Sequence, residues 1–87
     1  MIVSFTENGW EDFCYWQEMD SQIQEKTILL IKDVSRSPYK GLGKPEPLKG
    51  NLSGWWSRRI NDEHRLVYQV SGKEKKVIVI NQCRFHY

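Results

Sequence analysis

Two residues in this chain are placed for acid–base work. Glu46 stands between Pro45 and Pro47, whose rings restrict the local backbone to extended conformations and leave its carboxylate little freedom. His86 is next to the last residue of the sequence, and Lys44, Lys49, Arg58, Arg59 and Arg65 supply cations. A base, an acid and a cluster of positive charge are what cleavage of RNA through its own 2′-hydroxyl requires. The base takes the 2′-OH proton, cations stabilise the charge building on the phosphorane-like oxygens, and the acid protonates the departing 5′-oxygen. DNA lacks the attacking hydroxyl and would not be cut.

Each residue also has a plainer reading. A glutamate in a Pro-rich loop is usually solvated, a histidine near a terminus is usually inert, and arginines on a strand often form a solvated face whose ion pairs contribute little. On residue types and spacing alone, the chain is a basic-faced α+β module suited to nucleic acid, and an enzyme is not established. No Gly-rich phosphate loop, nucleophile elbow or metal-ligand spacing is present, so the sequence requires no cofactor and no metal.

The elements that would position these groups follow from periodicity. Ile2-Val3-Ser4-Phe5 reads as a short strand, and Thr6 as the N-cap of a helix running to about Met19. Ser21-Gln22-Ile23-Gln24 fits a capping box for a second helix. Its stripe of Ile23, Thr27, Leu30, Ile31 and Val34 carries that helix to about Arg36. Residues 37–54, with three prolines and four glycines, read as one long loop, and a loop of that length in a compact unit usually has a function.

Three strands joined by hairpin turns come next, over residues 55–60, 64–70 and 76–83. Alternation puts Trp56, Arg58 and Ile60 on one face of the first, with Trp55, Ser57 and Arg59 on the other. Only one of the two tryptophans can be core, which frees the other to stack on a base or a partner. In the next strand Arg65, Val67 and Gln69 oppose His64, Leu66, Tyr68 and Val70. The expected fold is α+β, in the order β-α-α-β-β-β: a small antiparallel sheet with two helices on one face and basic residues on the other. A single domain over residues 1–87 is expected.

Composition adds constraints. The 87 residues contain no alanine, so a core has to be built from Ile, Leu, Val and eleven aromatic rings. The net charge of +2 hides two opposed parts: residues 1–35 carry −5 and residues 36–87 carry +7. That asymmetry suggests a basic face for a phosphate-bearing partner, although acidic helices and basic strands would produce it equally well. The longest apolar run is too short to span a bilayer, and the first residues lack signal-peptide character. Cys14 and Cys83 lie far apart with no paired neighbours, as expected of reduced thiols in cytoplasm.

The sequence resembles the YoeB/Txe toxins of the RelE/ParE toxin–antitoxin superfamily. The likeness spans the chain. It rests on Trp10-Glu11-Asp12-Phe13 and Tyr15-Trp16-Gln17-Glu18, on Gly43-Lys44-Pro45-Glu46-Pro47-Leu48-Lys49, and on Asn51-Leu52-Ser53-Gly54-Trp55-Trp56-Ser57-Arg58-Arg59-Ile60. It continues through Glu63-His64-Arg65-Leu66-Val67-Tyr68 and closes with Cys83-Arg84-Phe85-His86-Tyr87. Phe85 stands where a tyrosine is common, and Trp56 where another aromatic can sit.

The resemblance implies a RelE-like fold and a metal-independent, ribosome-dependent mRNA endoribonuclease that cuts in the decoding site and halts translation. By matching positions, Glu46 would be the general base, His86 the general acid, and Arg65 the group stabilising the transition-state phosphate. Lys49 and Arg59 would add cationic contacts, and Tyr87 would orient substrate and the histidine. Lys44 and Arg58 are further candidates for substrate contact. The implied partners are a YefM/Axe-type antitoxin, the 70S ribosome with its mRNA, operator DNA only together with antitoxin, and a second copy of the chain as an open alternative. The competing function is that of the ParE branch, which inhibits DNA gyrase by binding and lacks the acid–base set.

Overall fold

The computed structural model describes residues 1–86. Strand β1 (Ile2–Phe5) leads into helices α1 (Glu7–Met19) and α2 (Ser21–Arg36), followed by β2 (Glu46–Pro47), a 3-10 turn over Gly50–Leu52, β3 (Trp56–Arg59), β4 (Arg65–Ser71) and β5 (Val77–Gln82). Thr6 caps α1 as expected, its side chain accepting from the Gly9 N–H. The second cap lies one residue earlier than the capping-box reading: Asp20 Oδ1 accepts from the Gln22 and Ile23 amides, at 3.1 and 3.2 Å. A carboxylate outcompetes a serine hydroxyl here, since it also complements the positive end of the helix.

The sheet has five strands in the order β1-β5-β4-β3-β2. The meander β3-β4-β5 is antiparallel as expected, and two edge strands are added to it. β1 pairs in parallel with β5, Ile2 opposite Val77 and Phe5 opposite Ile80. β2 pairs with β3, Glu46 opposite Ser57 and Pro47 opposite Trp56, so the long loop is in part a strand. Pro47 is tolerated because β2 is an edge.

The two helices pack on the sheet around Trp16, Leu30, Ile31, Val34, Ile60, Leu66, Tyr68, Ile78, Ile80 and Cys83. α1 lies directly on the backbone of β5. A Cβ on Gly9 would run into the carbonyl oxygen of Ile80, so only glycine permits this approach. No helix among the described residues is long and apolar enough to cross a membrane.

The core also contains a charge. Arg58 is fully buried on the face it shares with Trp56 and Ile60, toward the helices. Its Nη1 donates to Asp33 Oδ2 at 2.5 Å and to the Leu42 carbonyl at 3.2 Å. Its Nη2 donates to the carbonyls of Ser37 and Lys40, at 2.5 and 2.8 Å, and Nε to the Tyr68 hydroxyl at 3.2 Å. The expectation that Arg58 belongs to an exposed substrate-binding face is therefore corrected: every donor group of its guanidinium is committed inside the protein.

Asp33 accepts in addition from the Leu42 N–H at 2.9 Å. That amide bond first, and the Arg58 guanidinium second, hold its carboxyl at about 2, below the ordinary 3.8. The chain passes so close to this carboxylate that a Cβ on Gly41 (φ +114°) would collide with it.

Removing one partner of a buried, hydrogen-bonded ion pair typically costs about 3–5 kcal/mol. Arg58→Met should therefore lower the melting temperature by well over 10 °C, roughly 4–8 °C per kcal/mol in a chain of this size; thermal unfolding followed by circular dichroism measures it. The pH dependence has a definite sign. The unfolded chain binds the Asp33 proton more readily than the folded one, so the contribution is complete above about pH 4 and lost as pH falls toward 2. Acid titration of stability should show a drop in that window, flattened in Asp33→Asn.

Candidate functional site

The sheet face turned away from the helices carries the candidate residues. In register, Glu46 opposes Ser57, Ser57 opposes Val67, and Val67 opposes Gln82. Residues paired across a ladder share a face, so these four form one row over four strands. Two residues further along β3, Arg59 opposes Arg65 on the same face. Strand spacing and rise put the Cα atoms of Glu46 and Arg65 roughly 12 Å apart across this face.

The positions differ in exposure. Glu46, Arg59, Lys44 and Lys49 are exposed, whereas Arg65 is buried at 8%. Arg65 is held through one nitrogen: Nη1 donates to the carbonyls of Asn61, Asp62 and His64, at 2.6, 3.2 and 3.1 Å. Its orientation is thus set by the β3–β4 turn. That turn is shaped by Asn61, whose Oδ1 accepts from the Glu63 and His64 amides. Lys44 lies in the loop before β2 with a left-handed backbone (φ +51°), and Lys49 just ahead of the 3-10 turn. The Leu48 N–H donates to the Trp55 carbonyl, extending the β2–β3 pairing.

Trp56 packs against the core and against Tyr39, with ring centroids 4.8 Å apart. Trp55, half-buried, is left toward the other side. Only one of the tryptophans is thus a core residue, as alternation requires.

His86 arrives on an irregular segment that many polar contacts pin. The Trp16 indole N–H donates to the Cys83 carbonyl at 2.8 Å, and Asp12 Oδ2 accepts from the Cys83 N–H at 3.1 Å. Burial raises the Asp12 pKa despite that bond. Burial likewise pushes the Cys83 thiol up to about 12, which keeps it protonated and poorly nucleophilic. The Arg84 guanidinium lies over the Tyr15 ring at 3.6 Å. The Phe85 carbonyl accepts from the Arg65 N–H at 3.1 Å, and the Phe85 N–H donates to His64 Nδ1 at 2.7 Å. The segment therefore runs beside the start of β4, and His86 follows directly after residues bonded to positions 64 and 65. A cavity of about 450 Å³ opens beside it, lined by residues that include Asn8, Asp12, Gln82 and Phe85.

The structure thus brings Glu46, Arg59 and Arg65 to one face and the His86 segment to its border, with Lys44 and Lys49 on the loop flanking Glu46. It takes Arg58 out of this set. Tyr87 lies outside the described residues. His64 and Trp16 were not singled out by sequence as supports of the tail, although alternation places His64 on the apolar side of its strand. Among the described residues, no three His, Cys, Asp or Glu side chains gather as metal ligands would.

This arrangement can be set beside known proteins. The family model for the YoeB-like toxin of bacterial type II toxin–antitoxin systems matches residues 5–87. Toxin YoeB of Streptomyces coelicolor is 52% identical over 87 residues, the whole of both chains. The solved YoeB/ParE toxin from Agrobacterium tumefaciens superposes with a TM-score of 0.97 at 49% identity, again over both complete chains. YoeB from Staphylococcus aureus, solved as a dimer, gives 0.89 at 42% identity over 100% of this chain and 98% of that one. The same protein has been solved in complex with YefM. Match, identity and superposition agree along the full length, and the chain belongs to the YoeB-like toxins of bacterial type II toxin–antitoxin systems.

Proposed function

We propose that the protein is a ribosome-dependent endoribonuclease that cuts mRNA in the decoding site and so stops translation. The observation that carries this reading is the register row setting Glu46 on one face with Arg59 and Arg65, bordered by the segment that carries His86. The carboxylate of Glu46 takes the proton of a ribose 2′-hydroxyl. The 2′-oxygen attacks the adjacent phosphorus, and the bond to the 5′-oxygen breaks. His86 gives its proton to that departing oxygen, leaving a 2′,3′-cyclic phosphate and a 5′-hydroxyl. Arg65 is oriented by the turn and faces the charge that develops on the phosphate, where preorganised donors are most effective. Arg59, Lys49 and Lys44 hold the flanking backbone. No metal takes part.

On the same reading, a YefM-type antitoxin neutralises the protein, as the complex of the Staphylococcus aureus relative suggests. Its acidic segment would meet the +7 portion of the chain. Operator DNA would be bound only together with that antitoxin. Trp10, 53% exposed and packed edge-on against Phe5, marks a surface for a second copy, in keeping with the dimer of the same relative. Trp16 on the same helix is buried at 5% and cannot contribute to such a surface.

The deciding experiment is primer extension on an mRNA held on translating ribosomes, with naked RNA alongside. The protein should produce a discrete stop near the decoding site. Glu46→Ala should weaken that stop by about 100-fold or more, the usual contribution of a positioned general base, while circular dichroism stays unchanged. No stop on the ribosome would reject the nuclease and turn attention to gyrase binding, as in the ParE branch. Arg59→Gln and Lys49→Gln should each weaken association with ribosomes and reduce its salt dependence by about one ion equivalent; titration at several ionic strengths reads both.

A further inference from the structure

We infer that His64 is a positioning residue for His86, acting through the proton acceptor at its Nδ1. This rests on the role proposed above for His86, and concerns how that role is set up.

His64 is 6% exposed and stands on the core side of the chain just before β4. Its ring meets the edge of the Trp16 indole, with centroids 4.6 Å apart. The packing fixes the ring plane, so the in-plane lone pair of Nδ1 points in one direction. Phe85 occupies that direction, its N–H donating to Nδ1 at 2.7 Å. Nδ1 can accept only if it carries no proton, so the neutral ring is protonated at Nε2, which lies 3.5 Å from a Glu63 carboxylate oxygen. Trp16 therefore fixes the ring orientation, and the bond from the Phe85 amide itself requires this tautomer.

Phe85 is where such a hold is needed. Its backbone is left-handed (φ +67°), which disfavours a residue with a Cβ and persists only when the surroundings over-determine it. They do so from both sides of the residue. The N–H is taken by His64 and the carbonyl by the Arg65 amide, at 3.1 Å. The left-handed step sets the direction in which the chain leaves toward His86. With the His64 bond gone, Phe85 would relax toward ordinary dihedrals and His86 would swing away from Arg65. A displacement of about 1 Å of a reacting group can cost about 100-fold in rate.

Three substitutions separate this from a packing role. In His64→Asn the side-chain oxygen falls where Nδ1 was, whereas His64→Gln reaches only the position of Nε2, and His64→Phe keeps the ring without an acceptor. Single-turnover cleavage of ribosome-held mRNA should stay within about threefold of the parent in the Asn variant. It should fall about tenfold or more in Gln and Phe, with the half-saturating ribosome concentration unchanged. Melting temperatures should not follow that order. A Phe variant as fast as the parent, or Asn and Gln variants equally slow, would overturn the inference. Hydrogen exchange at the Phe85 amide tests the hold without any activity: it should be protected in the parent and in Asn, and exposed in Gln and Phe. If the parent cuts no mRNA, the nuclease reading fails, while the exchange pattern still decides whether His64 holds the tail.

Discussion

The buried guanidinium of Arg58 is the interaction on which the rest of the structure depends. Taking an arginine out of water is unfavourable unless its charge is paired and its donors are all used, and here both conditions hold. Asp33 belongs to α2, Arg58 to β3 and Tyr68 to β4, while Ser37, Lys40 and Leu42 belong to the loop that precedes Glu46. One side chain thus ties a helix, two strands and a connection of low apolar content. The Tyr68 hydroxyl extends the network by donating to the Pro38 carbonyl at 2.6 Å. The loop has little hydrophobic material with which to hold itself, so its path is fixed by hydrogen bonds to a charge. The Gly43 carbonyl, which accepts from the Arg59 amide at 2.7 Å, marks the point where the loop joins the sheet.

The pair Arg58–Arg59 shows how a two-residue period divides one residue type between two purposes. Arg58 faces the helices and is part of the core, while Arg59 faces outward beside Arg65. Counting basic residues along β3 therefore overstates the charge available to a polyanion. What remains on that side is the exposed Arg59 and the buried Arg65, with Lys44 and Lys49 on the loop.

Much of this was legible in the sequence. The helices and the three-strand meander followed from periodicity, and the two faces of β3 from alternation. Which face was core did not follow, because each carries one tryptophan and one arginine; Ile60, on the side of Arg58, was the clue. A second clue was Asp33, an acid in the last turn of α2, where the helix dipole disfavours it unless a cation is near. The parallel pairing of β1 with β5 joins residues some 75 apart, and no local pattern carries such information. β2 was hidden by its own proline, which disqualifies a central strand but not an edge of two residues. Of the candidate site, Glu46, Arg59, Arg65 and His86 were singled out from residue type and resemblance. The supports were not, because Trp16, Asp12 and His64 act on His86 through backbone groups of Cys83 and Phe85, which leave no mark on side-chain identity.

Glu46 and His86 come from segments that the regular part of the sheet does not hold by itself. The loop bearing Glu46 is secured by Arg58, and the tail bearing His86 by His64, Trp16 and Asp12. In both cases the anchor is a polar group reached from the helix side, while the residues it positions serve the opposite face. This division has a physical reason. On the proposed reading, an extended RNA needs a surface lined by charged groups, and a backbone held from the core side draws little on them; Arg65, which donates to the β3–β4 turn, is the exception. Holding the backbone from the core side requires burying polar atoms that then need complete hydrogen bonding. Among the described residues that condition is met, since no buried side-chain nitrogen or oxygen lacks a partner. The geometry of the open face is thus determined largely by residues that never reach it.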